Sequence, residues 1–173
     1  MKFPSAVVLM GVCGSGKTTV GIALSERCGG VFYDADDFHP LSNIAKMKRG
    51  EPLDDADRAP WLDELTMRLA AASVAHPPVV LACSALKEQY RDILRSGCAD
   101  LQFVHLSGTP EVIRTRLAAR SGHFMPDVLI DSQFAALEAP TNALVVDIDS
   151  PVDEVVETIL RGLTLVKDRS VNI

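Results

Sequence analysis

The sequence predicts a three-layer α/β/α sandwich around a five-stranded parallel sheet, and three observations predict it. Short runs of Val, Leu and Ile alternate with amphipathic stretches from one end of the chain to the other. These apolar runs lack a two-residue alternation, as strands covered by helices on both faces do. A β-then-α order repeated this way closes into a sandwich with right-handed crossovers.

The strands are expected at residues 6–10, 31–33, 79–83, 101–106 and 143–148. Between them, helices are expected at 17–28, 61–74, 86–95, 111–120, 127–137 and 152–163. The first of these opens at a Gly-rich turn. The second follows Pro60, a residue suited to a helix's first turn. The last follows Pro151 and carries Val152, Val155, Val156, Ile159, Leu160 and Leu163 on one stripe, a 3.6-residue period. Two polar segments break the rhythm, residues 34–60 and residues 116–126, and such interruptions in a small domain tend to be functional loops.

At 173 residues the chain has the length of a single domain, residues 1–173, and 47% apolar residues supply its core. Seventeen basic against 23 acidic side chains give a formal charge of −6. That balance argues against a protein that coats nucleic acid or an anionic membrane. No apolar run reaches the roughly 20 residues of a membrane helix. The four cysteines stand far apart without a C-x-x-C pair, which suits reduced thiols in a soluble cytoplasmic protein.

Gly11-Val12-Cys13-Gly14-Ser15-Gly16-Lys17-Thr18 fits G-x-x-x-x-G-K-[ST] between an expected strand and an expected helix. Its glycines let backbone N–H groups wrap a phosphate chain, and the helix N-terminus adds a positive dipole end. Lys17 is placed to reach the β- and γ-phosphates, and the Thr18 hydroxyl to bind Mg²⁺. The guanine-reading N-K-x-D string is absent. Residues 144–147 (Leu-Val-Val-Asp) fit a Walker-B strand, yet as the last strand they read better as an acidic strand end. The missing acid is instead sought in Asp34-Ala35-Asp36, just after the second strand, at the edge where α/β sites assemble. One carboxylate there would order Mg²⁺ and the other accept a hydroxyl proton.

Further blocks carry a resemblance: Asp36-Asp37-Phe38-His39-Pro40, Gly50-Glu51-Pro52-Leu53-Asp54-Asp55-Ala56-Asp57-Arg58, Pro60-Trp61-Leu62, and Cys83-Ser84-Ala85-Leu86-Lys87 with Tyr90-Arg91. With the P-loop they resemble the gluconate kinases of the shikimate-kinase-like P-loop small-molecule kinases, over residues 6 to about 163. The resemblance implies a P-loop nucleoside-triphosphate-binding kinase fold with a short lid near 116–126 and a substrate-binding insertion near 34–60. It implies ATP and Mg²⁺, phosphorylation of D-gluconate at its 6-hydroxyl, and a homodimer. A kinase for another small hydroxylated metabolite, or a P-loop regulatory nucleotide-binding protein, are the competing readings.

Residue by residue, the resemblance carries ATP to Gly11 through Thr18, to Thr19, to Arg116 and Arg120, and to Pro151. Lys17, Asp36 and Arg120 are the expected catalytic residues, and Thr18 with Asp34 the metal ligands. Gluconate is expected at Asp36, His39, Arg49, Arg58, Lys87, Arg91, His123 and Gln133. Arg116 and Arg120 are four apart, so one helical face would present both to the lid. Lys87 and Arg91 are spaced alike, for the gluconate carboxylate or the γ-phosphate. His39 and His123 read as hydrogen-bonding loop residues before general bases. Trp61 reads as core before sugar platform.

Overall fold

Five short strands, covered on both faces by helices, form one parallel sheet in the order β2-β3-β1-β4-β5. They are β1 (Ala6–Met10), β2 (Val31–Asp34), β3 (Val79–Ala82), β4 (Gln102–Ser107) and β5 (Leu144–Asp147). The structure is a computed structural model that describes residues 3–74, 77–119 and 127–169. Its helices are α1 (Lys17–Cys28), α2 (Leu41–Lys48), α3 (Asp55–Val74), α4 (Glu88–Gly97), α5 (Pro110–Ala118), α6 (Asp127–Ala136) and α7 (Val152–Arg169).

The central strand explains why the apolar runs are continuous. Ala6, Val8 and Met10 face a core built with Trp61, Leu62, Leu65 and Leu69 of α3 and Leu94 of α4. Val7 and Leu9 face the opposite core, with Val20 and Leu24 of α1, Ile113 of α5, and Val156 and Ile159 of α7. Each such Val, Leu, Ile or Met side chain contributes about 1.5–3 kcal/mol by leaving water, which disfavours a polar residue on either face of β1. The C-terminal ends of the strands then share one edge, where the loops that follow β1, β2 and β3 meet.

The insertion after β2 is more ordered than a polar loop. A 3₁₀ turn (Ala35–Phe38) is followed by α2, and α3 starts at Asp55, six residues before the expected Trp61. The cause is a reciprocal cap. Asp57 N–H donates to Asp54 Oδ1 at 2.8 Å, and Asp54 N–H donates to Asp57 Oδ2 at 3.0 Å. This pair satisfies the Asp57 amide in the first turn and the Asp54 amide just before it, so Pro60 falls inside the helix and removes only one internal bond. α2 ends at Lys48, and Gly50, just past the C-cap Arg49, closes a Schellman turn with a φ of 73°: Gly50 N–H donates to Met47 O and Glu51 N–H to Lys46 O.

Smaller corrections concern element ends. α5 runs from Pro110 to Ala118, with Arg116 in its last turn. Arg120 and His123 fall outside the described residues. Lys87 is the residue before α4 begins rather than a member of its surface. All four cysteines are free thiols, two of them buried. Burial pushes the Cys83 thiol up to about 12, which makes it inert. Among the described residues no helix is long and apolar enough to cross a membrane.

Two buried histidines give the fold a pH dependence. Burial lowers the pKa of both His39 and His105 below the ordinary 6.5. The unfolded chain therefore binds these protons first, so their stabilisation is complete above about pH 6.5 and is lost as pH falls below it. Each contributes a slope of up to about 1.4 kcal/mol per pH unit over that window. Urea unfolding of wild type is expected to show a falling midpoint from pH 7.5 to 5.5, and His105→Gln to flatten that fall. An unchanged pH dependence in the variant would contradict the burial effect.

Candidate active site

The loop from Gly11 to Gly16 leaves β1 and enters α1 through backbone conformations that favour glycine. Gly14 and Gly16 have φ values of 83° and 91°, which leaves the amides of this stretch free to turn inward. Helix α1 starts at Lys17 without a side-chain cap and without an acidic residue in its first turn. Its opening N–H groups are therefore left for an anion. Lys17 Nζ donates to Gly11 O and Val12 O, both at 2.9 Å, so the ammonium is curled into its own loop. Burial lowers the Lys17 pKa, while Cys13, Cys83, Asp36 and Asp34 act in the opposite direction. Ser15 Oγ is buried without a partner in the same loop. An orphaned hydroxyl, an uncapped helix and a desolvated ammonium together fit a phosphate chain.

The acidic pair sits beside this loop. Thr18 Oγ1 donates to Asp34 Oδ2 at 2.9 Å, joining the first turn of α1 to the end of β2. These two oxygens could hold Mg²⁺ with phosphate oxygens and water completing its shell. Asp34 Oδ1 also accepts Asp36 N–H at 3.2 Å, capping the 3₁₀ turn and turning Asp36 toward the cleft. The Asp36 carboxyl is raised above its ordinary range because the cleft partly desolvates it and Asp34 stands beside it. A carboxylate with a raised pKa is a stronger base.

His39 and Trp61 support that turn. Trp61 Nε1 donates to Ala35 O at 2.7 Å, and the His39 ring stacks on the indole with centroids 4.4 Å apart. Asn43 Nδ2 lies 3.3 Å from His39 Nδ1. An amide nitrogen only donates, so His39 Nδ1 accepts and the proton sits on Nε2, 3.9 Å from Asp36 Oδ1. His39 is thus neutral and shapes the surroundings of Asp36. Trp61 is core, 2% exposed, with one edge on the cleft.

From Asp36 a cleft of about 630 Å³ runs between α2, α3, α4 and α6. Among the described residues, Arg58 and Lys87 are the cations on its wall. Asp55, absent from the sequence expectations, gathers Lys87 Nζ at 3.0 Å, Tyr90 Oη at 2.5 Å and Gln89 Nε2 at 3.1 Å. These donors hold its carboxyl down at about 2. Only its place in the Asp54-Asp55-Ala56-Asp57-Arg58 block hinted at this. Gln133 of α6 also lines the cleft, and its Oε1 accepts Cys13 N–H of the P-loop at 2.6 Å.

Two expected substrate residues stand elsewhere. Arg49, at the end of α2, is exposed and paired through both ends of its fork with Glu51. Arg91 is 0% exposed. Its guanidinium donates to Ala85 O at 2.8 Å, Leu86 O at 3.0 Å and Glu138 O at 3.0 Å, and is paired with Glu88. Its donors are taken up by the chain between β3 and α4, by Glu88 at the start of α4 and by Glu138 beyond α6, so it shapes the cleft from behind. On the opposite side, Arg116 bonds Ile148 O and lies 3.6 Å from where a Gly16 Cβ would be. It thereby spans the P-loop and the β5–α7 turn that ends in Pro151. Asp147 accepts Asp149 N–H at 2.8 Å, a local turn that agrees with a strand end rather than a Walker-B acid.

Known proteins resemble this chain in sequence and fold. The family model for shikimate kinase matches residues 13–162. The thermoresistant gluconokinase of Escherichia coli is 45% identical over 153 residues, covering 86% of this chain and 87% of that protein. The gluconokinase of Gluconobacter oxydans is 46% identical over 137 residues, covering 79% and 77%. The crystal structure of a gluconokinase from Sinorhizobium meliloti superposes with a TM-score of 0.88 at 43% identity, covering 98% of this chain and 97% of that one.

Arg91 offers a direct check on the division between wall and scaffold. A lysine's donors all sit on one nitrogen, which cannot span the three carbonyls and the Glu88 carboxylate that the planar fork reaches from three nitrogens. Arg91→Lys is expected to destabilise the fold by about 2 kcal/mol or more, read as a lower urea midpoint. A stable variant with a selectively raised acceptor KM would return Arg91 to the substrate.

Proposed function

This chain belongs to the gluconokinase family, and we propose that it transfers the γ-phosphoryl group of ATP to the 6-hydroxyl of D-gluconate, giving ADP and 6-phospho-D-gluconate. One observation carries the reading. A phosphate-binding loop, the Asp34 and Asp36 carboxylates beside it and a cleft walled by Arg58 and Lys87 adjoin in a single sequence of contacts. A sugar acid needs such a cleft: a hydroxyl at one end, a carboxylate at the other.

In this reading the P-loop amides, Ser15 and Lys17 hold the β- and γ-phosphates, and Thr18 with Asp34 would hold Mg²⁺, which supplies charge neutralisation. Arg116 and the turn at Pro151 flank the adenine. Arg58 takes the gluconate carboxylate, and Lys87, kept in place by Asp55, shares it. Asp36 orients the 6-hydroxyl and accepts its proton as the new O–P bond forms and the bond to the ADP oxygen breaks. Because the transition state is loose, the proton leaves late and positioning matters as much as basicity. The roles of Arg120 and His123 as lid residues, the homodimer and the cytoplasmic setting rest on the family resemblance.

Two measurements check this. In an ADP-release assay, D-gluconate is expected to exceed shikimate, glucose and AMP in kcat/KM by several orders of magnitude, because the wrong acceptor leaves buried groups unpaired. ADP release indifferent to gluconate would sink the reading. For the acid pair, Asp36→Asn is expected to lower kcat by roughly 10²–10⁴ with ATP affinity little changed. Asp34→Asn should raise the Mg²⁺ concentration that activity requires. A Mg²⁺ titration that rescues Asp36→Asn and not Asp34→Asn would exchange the two roles.

A further inference from the structure

Phosphoryl transfer from a loop to a cleft requires both to be filled together, and one side chain touches both. Gln133 is half-buried on α6. Its carbonyl oxygen accepts the Cys13 N–H of the P-loop at 2.6 Å, while the residue lines the same cleft as Asp36, Arg58 and Lys87. The remaining half of the carboxamide is a pair of N–H donors, the chemistry that a sugar hydroxyl or carboxylate accepts.

The helix carrying Gln133 is held at its end. Glu138 N–H donates to Leu86 O at 2.9 Å, Glu138 Oε2 accepts Glu88 N–H at 2.5 Å, and Arg91 donates to Glu138 O. Those bonds tie the end of α6 to the segment that supplies Leu86 and Lys87 to the cleft. Across the P-loop, Leu117 of α5 packs so closely on Gly14 that a Cβ there would lie 2.9 Å from it. The loop is thus packed by Leu117 of α5 on one side and bonded by Gln133 on the other.

We propose that Gln133 is a positioning residue that couples the two substrate sites, so that nucleotide and acceptor each tighten the other's binding. The inference rests on the gluconokinase reading above. A nucleotide that orders the P-loop fixes Cys13 N–H, and through it the Gln133 carboxamide, before the acceptor arrives. An acceptor that uses the Nε2 donors polarises the same amide and strengthens the bond to Cys13. The effect is reciprocal by thermodynamic necessity.

The experiment is calorimetric titration of D-gluconate into the full chain, with and without a non-hydrolysable ATP analogue and Mg²⁺. Wild type is expected to bind gluconate about fivefold more tightly with the analogue present, and the analogue about fivefold more tightly with gluconate present. Gln133→Met, close in size but without the carboxamide, is expected to bring that ratio to about one. Should Gln133→Met fail to fold, Gln133→Glu serves: it keeps an acceptor for Cys13 N–H, lacks the donors, and is expected to lose the coupling equally. A loss of packing alone would weaken each ligand without changing the ratio. A ratio retained in the variant, or a ratio of one in a wild type that turns over gluconate, overturns the inference. A wild type that neither binds nor phosphorylates gluconate overturns the functional reading instead.

Discussion

The acceptor side of this enzyme depends on the mutual capping of Asp54 and Asp57 at the start of α3. The Asp57 carboxylate that closes the cap also binds Lys46 Nζ at 2.6 Å, and its carbonyl accepts Asn43 Nδ2 at 2.8 Å. Both partners lie on α2, so one turn fixes two helices. From Asn43 the contacts pass to His39, then to Trp61 by stacking, then to Ala35 O, the residue before Asp36. The orientation of the proposed base is therefore set by an interaction about twenty residues further along the chain. Uncapped, α3 would begin nearer Pro60, and Asp55, Arg58 and the α2 anchor would lose their common frame.

How much of this is legible in the sequence follows from whether the signal is local. β1 and β3 are readable because burial on both faces leaves an unbroken apolar run, which neither a surface helix nor a loop produces. The 17–28 helix is readable because Gly16 and Gly29, both in left-handed conformations, bracket it. α2 is not readable. It carries Leu41 at 84% exposure, and its strongest attachments are polar bonds to α3 that leave no periodic trace. The start of α3 is masked because Pro60 is a louder local signal than D-x-x-D, although the reciprocal aspartates are present in the string. Arg91 is masked for a different reason. Nothing in a sequence distinguishes an arginine facing solvent from one that staples three carbonyls inside the fold. Gln133 is expected at the acceptor, and its bond to the P-loop joins residues 120 positions apart.

Charge in this protein is organised locally against its overall sign. The chain carries −6, and the cleft wall itself includes Asp36, Glu51, Asp54 and Asp55 alongside Arg58 and Lys87. An anionic acceptor is therefore not drawn in by a broad positive field. It must meet its cations at close range, where geometry discriminates more sharply than long-range attraction does. Asp55 fits that logic: it leaves Lys87 charged but tethered, so the ammonium is available in one place only. Arg91 shows the complementary use of a cation, given over entirely to the scaffold.

The P-loop described above has a consequence for how long the protein lasts. Its Ser15 hydroxyl is buried without a partner, its helix starts uncapped, and its lysine bonds its own loop. The hydroxyl and the helix start are unmet needs that a phosphate chain would satisfy, and the lysine is already held beside them. A ligand that binds only the folded state stabilises it by mass action, by about 2.7 kcal/mol at a hundred times its dissociation constant. The surrounding nucleotide pool then acts as part of the fold. When it is depleted, more of the protein opens, and opened chains are what proteases remove. The abundance of such an enzyme would follow the energy state of its cell without any dedicated regulator.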